Sequence, residues 1–210
     1  MPTDVLIIGA GGHSKVVVEA CLLSQAYSKL LIADESLDKV GTLLLGKYPI
    51  HLLNTVDKIP QYCHIAIGNN CIRQTLFDRI NRHNTNFASI IHPKAVISIS
   101  ATVSSGCFIA AGVIVSSATI ISDCCIINHG AVVDHDCFVG CFSHIAPNAT
   151  LCGGVKIGRC VLIGAGSVVL PNISIQDNAV IGAGAVVTSN VSEGETVMGI
   201  PGTAIKNIRT

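Results

Sequence analysis

The sequence carries little charge and few aromatic side chains. Of its 210 residues 12% are charged and 4% are aromatic, tryptophan is absent, and the formal net charge is zero. Neither lysine nor arginine occurs from Ala95 to Val155. A nucleic-acid surface needs a basic stripe, so we expect no nucleic-acid partner.

A long stretch of the chain also lacks charge of either sign. No charged residue lies between Lys94 and Asp123, and the mean hydropathy of the chain is +0.60. Such a stretch could suggest a membrane span. It carries Ser and Gly at fixed intervals, however, and the apolar run Val5–Ala10 is too short for a signal peptide. We therefore expect a soluble, cytoplasmic protein without membrane insertion.

The strongest pattern in the chain is an aliphatic residue at every sixth position. This period fits neither an α-helix nor plain strand alternation, and it is typical of a parallel β-helix. The 17 positions are Ile91, Ile97, Val103, Ile109, Val115, Ile121, Ile127, Val133, Val139, Ile145, Leu151, Ile157, Ile163, Val169, Ile175, Ile181 and Val187. We predict one solenoid over residues 91 to 187, with about five coils of three repeats each.

Two further positions of the repeat support this frame. The fourth residue after each aliphatic is mostly small, and the third is mostly Gly or Asn, as at Gly130 and Asn148. Gly and Asn accept a positive φ most readily, so we predict a tight turn there in each repeat.

The ten cysteines do not indicate a disulfide framework. None forms a C-x-x-C pair, and Cys107, Cys125 and Cys137 occupy the small inward position of the repeat, where a thiol acts as a small hydrophobe. We predict free thiols, which favours a reducing compartment.

Residues 1–86 alternate buried strands with helices, which predicts a Rossmann-like α/β domain ahead of a β-helix domain at 87–210. We predict strands at Val5–Ile8, Leu30–Ala33 and His64–Ile67, a helix from Lys15 to about Leu23, and a second helix ending at Ile80. Ligands of such sheets bind beyond the carboxyl ends of the strands.

Those strand ends carry the first candidate binding residues. A glycine loop from Gly9 to His13 offers backbone N–H groups to an anion, and Asp34 lies where a ribose or sugar hydroxyl would be met. Substrate-binding candidates in this part of the chain are Gly11, Gly12, His13, Asp34, Glu35, Gly68 and Asn69. So short a domain suits a nucleotide sugar better than a dinucleotide.

Three histidines of the solenoid carry its candidate chemistry. The repeat places His129 and His135 at turns and directs His144 outward. A single surface histidine is usually solvated. His135 differs because Asp134 and Asp136 flank it; a carboxylate can fix the imidazole tautomer and stabilise its protonated form, as a general base requires.

With these motifs the sequence resembles the bacterial hexapeptide acetyltransferases that modify nucleotide-activated amino sugars or sialic acids, the PglD/NeuD family. The resemblance covers nearly the whole chain. It rests on G-A-G-G-H at 9–13, I-G-N-N at 67–70, I-H-P at 91–93, D-H-D-C-x-V-G-x-x-S-H at 134–144 and G-x-P at 199–201.

The resemblance implies a left-handed β-helix, acetyl-CoA as co-substrate without a metal, and a homotrimer with active sites between neighbouring β-helices. It implies that His135 is the general base and that Asp136 raises its basicity. It assigns acetyl-CoA binding to His144, Gly153, Ala165 and Ala183, with the Gly153 N–H facing the thioester oxygen. It also places Asn128 near the acceptor.

The predicted reaction is direct acetyl transfer to a UDP-linked 4-amino-sugar in bacterial surface glycan biosynthesis. O-acetylation of a sialic-acid-like sugar is the alternative within this class. Two other classes stay open: a γ-class carbonic anhydrase with zinc held by three histidines, and a non-catalytic sugar-nucleotide binding protein.

Overall fold

The computed structural model describes residues 3–55, 61–81 and 85–205. The first part of the chain forms a six-stranded sheet of order β3-β4-β2-β1-β5-β6. Its strands are β1 (Thr3–Ile8), β2 (Tyr27–Asp34), β3 (Leu43–Leu44), β4 (Tyr48–Leu52), β5 (Tyr62–Ile65) and β6 (Asn86–Phe87). Two helices, α1 (Gly12–Ser24) and α2 (Asn70–Ile80), and a 3-10 turn at Leu53–Thr55 accompany them.

The predicted α/β domain is present, with β1 parallel to both β2 and β5. The third predicted strand was placed too late: it ends at Ile65. Ala66 N still donates to the Ile8 carbonyl at 2.7 Å, but the Ile67 carbonyl accepts from Arg73 instead of continuing the sheet.

Three strands of this sheet were not predicted. β3 and β6 have two residues each, and β4 contains a proline and buries only Ile50. β3 runs antiparallel to β4, so the sheet is not wholly parallel. β6 spans the predicted 86/87 boundary, and that division of the chain stays a prediction.

From residue 90 onward the chain coils. The solenoid strands are β7 (Ile90–Ile91), β8 (Val96–Ile97), β9 (Thr102–Val103), β10 (Phe108–Ile109), β11 (Ile114–Val115), β12 (Ile120–Ile121), β13 (Ile126–Ile127), β14 (Val132–Val133), β15 (Phe138–Val139), β16 (His144–Ile145), β17 (Thr150–Leu151), β18 (Lys156–Ile157), β19 (Leu162–Ile163), β20 (Val168–Val169), β21 (Ser174–Ile175), β22 (Val180–Ile181) and β23 (Val186–Val187). A hairpin of β24 (Thr196–Met198) and β25 (Thr203–Ile205) follows.

Each solenoid strand from β7 to β20 pairs in parallel with the strand 18 residues later, as Ile109 pairs with Ile127 and Ile127 with Ile145. Three repeats therefore make one coil, and the coils form a three-sided prism. We call the faces first (β7, β10, β13, β16, β19, β22), second (β8, β11, β14, β17, β20, β23) and third (β9, β12, β15, β18, β21). The five strands of the third face match the predicted five coils.

The predicted turn is also present. From residue 106 to residue 184, the third residue after each aliphatic of the repeat has φ between 54° and 73°. Most are Gly or Asn, but Cys124, Asp136 and Phe142 adopt the same left-handed conformation. The stacking of the coils therefore overrides the local preference of these side chains.

The core of the prism is the aliphatic column itself. From Ile109 to Val187 these side chains are no more than 1% exposed. The first coil is looser: Ile91 is 39% exposed, because no coil precedes it. All ten cysteines are free, and Cys107, Cys125 and Cys137 are buried as predicted.

The α/β domain packs on the first face of the prism. Helix α1 contacts β7, and the His13 ring packs edge-on against the Phe108 ring, with their centroids 5.1 Å apart. The rings of Phe77 in α2 and Phe142 also pack against each other, with their centroids 5.3 Å apart. In the described ranges, neither helix has the length and hydropathy needed to cross a membrane.

Arg73 of α2 joins the two parts of the chain. It is 1% exposed and uses all five N–H donors. Its Nε donates to the Cys124 carbonyl at 2.8 Å and one terminal nitrogen donates to the Phe142 carbonyl at 2.6 Å, both on the solenoid. The remaining donors go to the carbonyls of Ile67 and Gly68 and to Asn70 Oδ1.

We expect Arg73→Lys to destabilise the fold by about 2–6 kcal/mol, because one ammonium group leaves at least two buried carbonyls without a donor. Thermal unfolding measures this effect. Arg79→Lys is the matched control: Arg79 lies on the same helix in an exposed pair with Glu35, so its change should stay within about 1 kcal/mol. Equal melting temperatures for the two variants would contradict the assigned role of Arg73.

Candidate active site

A cavity of about 540 Å³ lies at the carboxyl ends of β1, β2 and β5. We call it the front cavity. Its lining includes Gly9, Gly11, Gly12, His13, Asp34, Glu35, Ser36, Lys39, Ile67, Gly68, Ile72 and Leu76. Helix α1 begins beside it without a side-chain cap, so its first-turn N–H groups are available to an anion. A side chain at Gly11 or Gly12 would meet nothing within 4 Å, which shows how open the cavity is there.

Asp34 organises one wall of the front cavity. Its Oδ2 accepts from Ala10 N at 2.6 Å and from Lys39 Nζ at 3.1 Å, while its Oδ1 accepts from Ser36 N at 2.8 Å. Burial raises the pKa of Asp34, but the hydrogen bonds from Ser36, Ala10 and Lys39 outweigh it and hold this pKa below its ordinary value. The carboxylate is therefore ionised and largely occupied by protein donors.

Of the other residues predicted to bind substrate here, two line the front cavity and one does not. Glu35 and Gly68 line the front cavity, and Glu35 pairs with Arg79 at 2.5 Å. Asn69 does not line it: its side chain caps α2 by accepting from Ile72 N at 3.0 Å.

His13 is an uncharged group of the front cavity. Burial, followed by the nearby His64, lowers its pKa to about 3. His64 is itself buried, with Nδ1 at 2.9 Å from the Ala88 carbonyl. The Nε2 atoms of both rings are buried without a hydrogen-bond partner in the described ranges. Neither ring supplies positive charge near neutral pH.

His135 lies at the edge of the prism between the second and third faces. It is the second residue after Val133, and the same position of the next coils holds Gly153 and Pro171. A Cβ atom at Gly153 would come within 2.5 Å of His135 Cε1 and 2.6 Å of Nε2. The imidazole therefore lies directly over the Gly153 backbone, and only glycine leaves room for it.

Two carboxylates act on His135. Its Nδ1 lies 2.7 Å from Asp136 Oδ2, and its Nε2 lies 4.0 Å from Asp134 Oδ2. The hydrogen bond to Asp136, followed by the charge of Asp134, raises the pKa of His135 above its ordinary value. An Nδ1–H donating to Asp136 leaves Nε2 as the basic nitrogen.

A second cavity, of about 410 Å³, surrounds this imidazole; we call it the edge cavity. Its lining residues are Asp134, His135, Asp136, Cys152, Gly153, Gly154, Pro171 and Asn172. Within the described part of the chain, no cluster of His, Cys, Asp and Glu could hold a metal ion.

His144 and Asn128 lie away from His135, on the first face. His144 points out of the coil as predicted, but the α/β domain covers it. Burial, followed by the Arg73 charge, lowers its pKa to about 4, against a hydrogen bond with the Gly68 backbone that raises it. Its Nε2 is 3.2 Å from Asn128 Nδ2. These two side chains therefore face the α/β domain of their own chain.

Ala165 and Ala183 are exposed at a third place, the edge between the first and second faces, where His129 is also exposed. The edge that carries His135 is the one opposite the first face. One chain therefore keeps the front cavity and His135 on opposite sides of its prism, and separates Gly153 from both alanines.

Three residues at these sites were not predicted. Lys39 and Arg73 were given no role in the sequence analysis, and His64 was named only as part of a predicted strand. Of the three, only Lys39 had a usable sequence signal, since it follows Asp34 by five residues.

Known proteins share both parts of this chain. Residues 4–80 match the PglD N-terminal domain, and residues 136–170 and 154–189 match the bacterial transferase hexapeptide repeat. UDP-N-acetylbacillosamine N-acetyltransferase of Bacillus subtilis is 35% identical over 103 residues, which is 46% of each chain. The aligned segment thus spans about half the length of that curated relative.

Solved structures match over nearly the whole chain. PerB from Caulobacter crescentus, in complex with CoA and GDP-perosamine, is 33% identical over 97% of both chains, with a TM-score of 0.89. The acetyltransferase domain of PglB from Neisseria gonorrhoeae is 30% identical over 97% of this chain and 100% of its own, with a TM-score of 0.91. The same domain in complex with acetyl coenzyme A has a TM-score of 0.92 at 29% identity.

The chain therefore belongs to the family of hexapeptide-repeat sugar acetyltransferases that carry a PglD-type N-terminal domain, and its prism is their left-handed β-helix. The family and fold expected from the sequence motifs are thus confirmed.

The raised pKa of His135 gives a pH-dependence that can be measured. A general base works only when deprotonated, so the hypothesis that His135 is the base predicts that kcat/KM falls as the pH drops through this raised value. Asp136→Asn removes the carboxylate that raises the pKa. It should move the acidic limb of the profile to lower pH and lower the rate on the plateau. An unchanged acidic limb in Asp136→Asn would show that His135 does not control it.

Proposed function

We propose that this protein transfers the acetyl group of acetyl-CoA to the amino group of a UDP-linked 4-amino-sugar, in bacterial surface glycan biosynthesis. The observation that carries this proposal is His135, held between two carboxylates over a glycine backbone in a solvent-facing cavity. The relatives add the ligands, because their structures contain acetyl-CoA or CoA with a nucleotide-linked amino sugar.

His135 acts as the general base. Its Nε2 removes a proton from the acceptor amine as the nitrogen attacks the thioester carbonyl, and Asp136 stabilises the imidazolium that results. A carbon–nitrogen bond forms, the carbon–sulfur bond breaks, and the CoA thiolate leaves with the electron pair. The imidazolium then returns the proton to that thiolate or to water.

Gly153 supplies the donor for the tetrahedral oxyanion. Its carbonyl accepts from Asn172 N, whereas no described residue accepts from its own N–H. The corresponding N–H of His135 donates to Asp134 Oδ1 at 2.8 Å, and Pro171 has none. Of these three stacked positions, Gly153 alone offers a free donor beside Nε2.

The transfer is direct, without an acetyl-enzyme. Cys137, two residues from His135, is buried with its Sγ donating to the Cys152 carbonyl at 3.2 Å, and burial raises its pKa to about 11. A thiol in that state is a poor nucleophile.

The complete site forms between chains of a homotrimer. The front cavity shares no lining residue with the edge cavity and lies across the prism from it. A sugar nucleotide held by one chain would therefore meet His135 of a neighbouring chain. The same arrangement would bring Gly153 of one chain towards Ala165 and Ala183 of another, with acetyl-CoA between them.

The reaction is tested by supplying acetyl-CoA with a UDP-linked 4-amino-sugar, its GDP-linked counterpart and a sialic acid, and by measuring thiol release and product mass. We expect one acetyl group on the amine of the UDP-sugar. His135→Ala should lower kcat by about 10²–10⁴-fold with little change in the acetyl-CoA KM. Acetylation of the sialic acid alone, or full turnover by His135→Ala, would refute the proposal.

The shared site is tested by mixing two inactive variants. Gly12→Leu fills the front cavity, and His135→Ala removes the base. If neighbouring chains complete each site, randomly mixed trimers should recover about a quarter of the wild-type activity. A site contained within one chain would recover none. Each variant refolded alone is the control, and sedimentation measures whether trimers form.

A further inference from the structure

The front cavity is lined by charges of both signs, and only the positive one favours an anionic nucleotide sugar. Asp34, Glu35 and Lys39 line it, and His13 is neutral. Lys39 is the one cationic side chain among the described residues of this lining. A nucleotide sugar brings an anionic diphosphate, which the two carboxylates would repel.

Asp34 has little capacity left for a ligand. Three protein donors already use its two oxygens. One of these oxygens, Oδ2, accepts from both Ala10 N and Lys39 Nζ. It thereby holds the Lys39 ammonium beside the glycine loop from which α1 starts. The carboxylate joins the two groups in the cavity that attract an anion.

We propose that Lys39, together with the first-turn N–H groups of α1, binds the diphosphate of the sugar nucleotide, and that Asp34 is a positioning residue for Lys39 and the glycine loop. This assignment rests on the proposed function. It names the group that recognises the phosphates and gives Asp34 a role other than ribose binding. The Lys39 side chain is 37% exposed, and an ammonium has three N–H donors, so Lys39 can keep its pair with Asp34 and donate to a phosphate as well.

Calorimetry tests this assignment by measuring the affinities for UDP and GDP and comparing them with the affinities for uridine and guanosine. Lys39→Gln should weaken binding of the diphosphates by about 10- to 100-fold, the loss of one or two charge-assisted hydrogen bonds, and should change nucleoside binding little. Lys39→Arg should restore most of the affinity. Lys47→Gln, which removes an exposed lysine outside the cavity lining, should leave both unchanged.

Asp34 is tested through Lys39. Asp34→Asn removes a charge that repels phosphate, yet it should weaken diphosphate binding because Lys39 and the glycine loop lose the carboxylate that joins them. Combining it with Lys39→Gln should cost clearly less than the sum of the two single losses, because Asp34 acts in part through that lysine. The diphosphate affinity of wild type should also depend more on salt than that of Lys39→Gln.

The outcomes separate this inference from the proposed function. Equal losses for diphosphate and nucleoside in Lys39→Gln, or no loss for either, would overturn the role of Lys39 and leave the acetyl transfer intact. Additive losses in the double variant would overturn the positioning role of Asp34. If wild type bound neither UDP nor GDP, both the inference and the proposed substrate class would fail.

Discussion

The buried guanidinium of Arg73 is the interaction on which the arrangement of the two parts depends. None of its five N–H donors goes to a carboxylate; four backbone carbonyls and one amide oxygen accept them and stabilise its charge. Two of those carbonyls belong to the loop at Ile67–Gly68, which lines the front cavity, and two belong to turns of the solenoid. The planar fork fixes the loop and both turns at once, which a point charge could not do.

The buried Arg73 guanidinium also helps to keep the nearby histidines neutral. Its charge disfavours protonation of His144 and His64, which burial already keeps uncharged. His135, whose pKa is raised, lies on the opposite edge, exposed and flanked by carboxylates. A single chain therefore keeps two kinds of imidazole apart: neutral ones where the domains pack, and a basic one where chemistry is proposed.

The sequence predicted the solenoid well because each coil repeats the same constraint. An aliphatic at every sixth position and a residue tolerant of positive φ three places later determine the strands, the turns and the edge on which His135 lies. What the pattern could not show was long-range. The burial of Arg73 and the hydrogen bond from Ala10 N to Asp34 depend on contacts between segments far apart in sequence. The Asn69 cap of α2 and the Lys39–Asp34 pair are local contacts, and a local reading of the sequence could have found them. The short strands β3 and β6 were missed because two residues carry no periodicity.

The 18-residue register has a consequence for how such a chain can change in length. Removing or adding a whole coil slides all later residues along the prism axis and leaves every side chain on its own edge, so only the spacing of the site alters. Removing a single hexapeptide instead rotates all later residues by a third of a turn. An indel of six residues between His135 and Gly153 would thus keep the hydrophobic core but carry the stacked glycine to another edge. The hydrophobic core therefore accepts an insertion or deletion of any multiple of six residues. The alignment of side chains along each edge is kept only when the insertion or deletion is a multiple of eighteen residues.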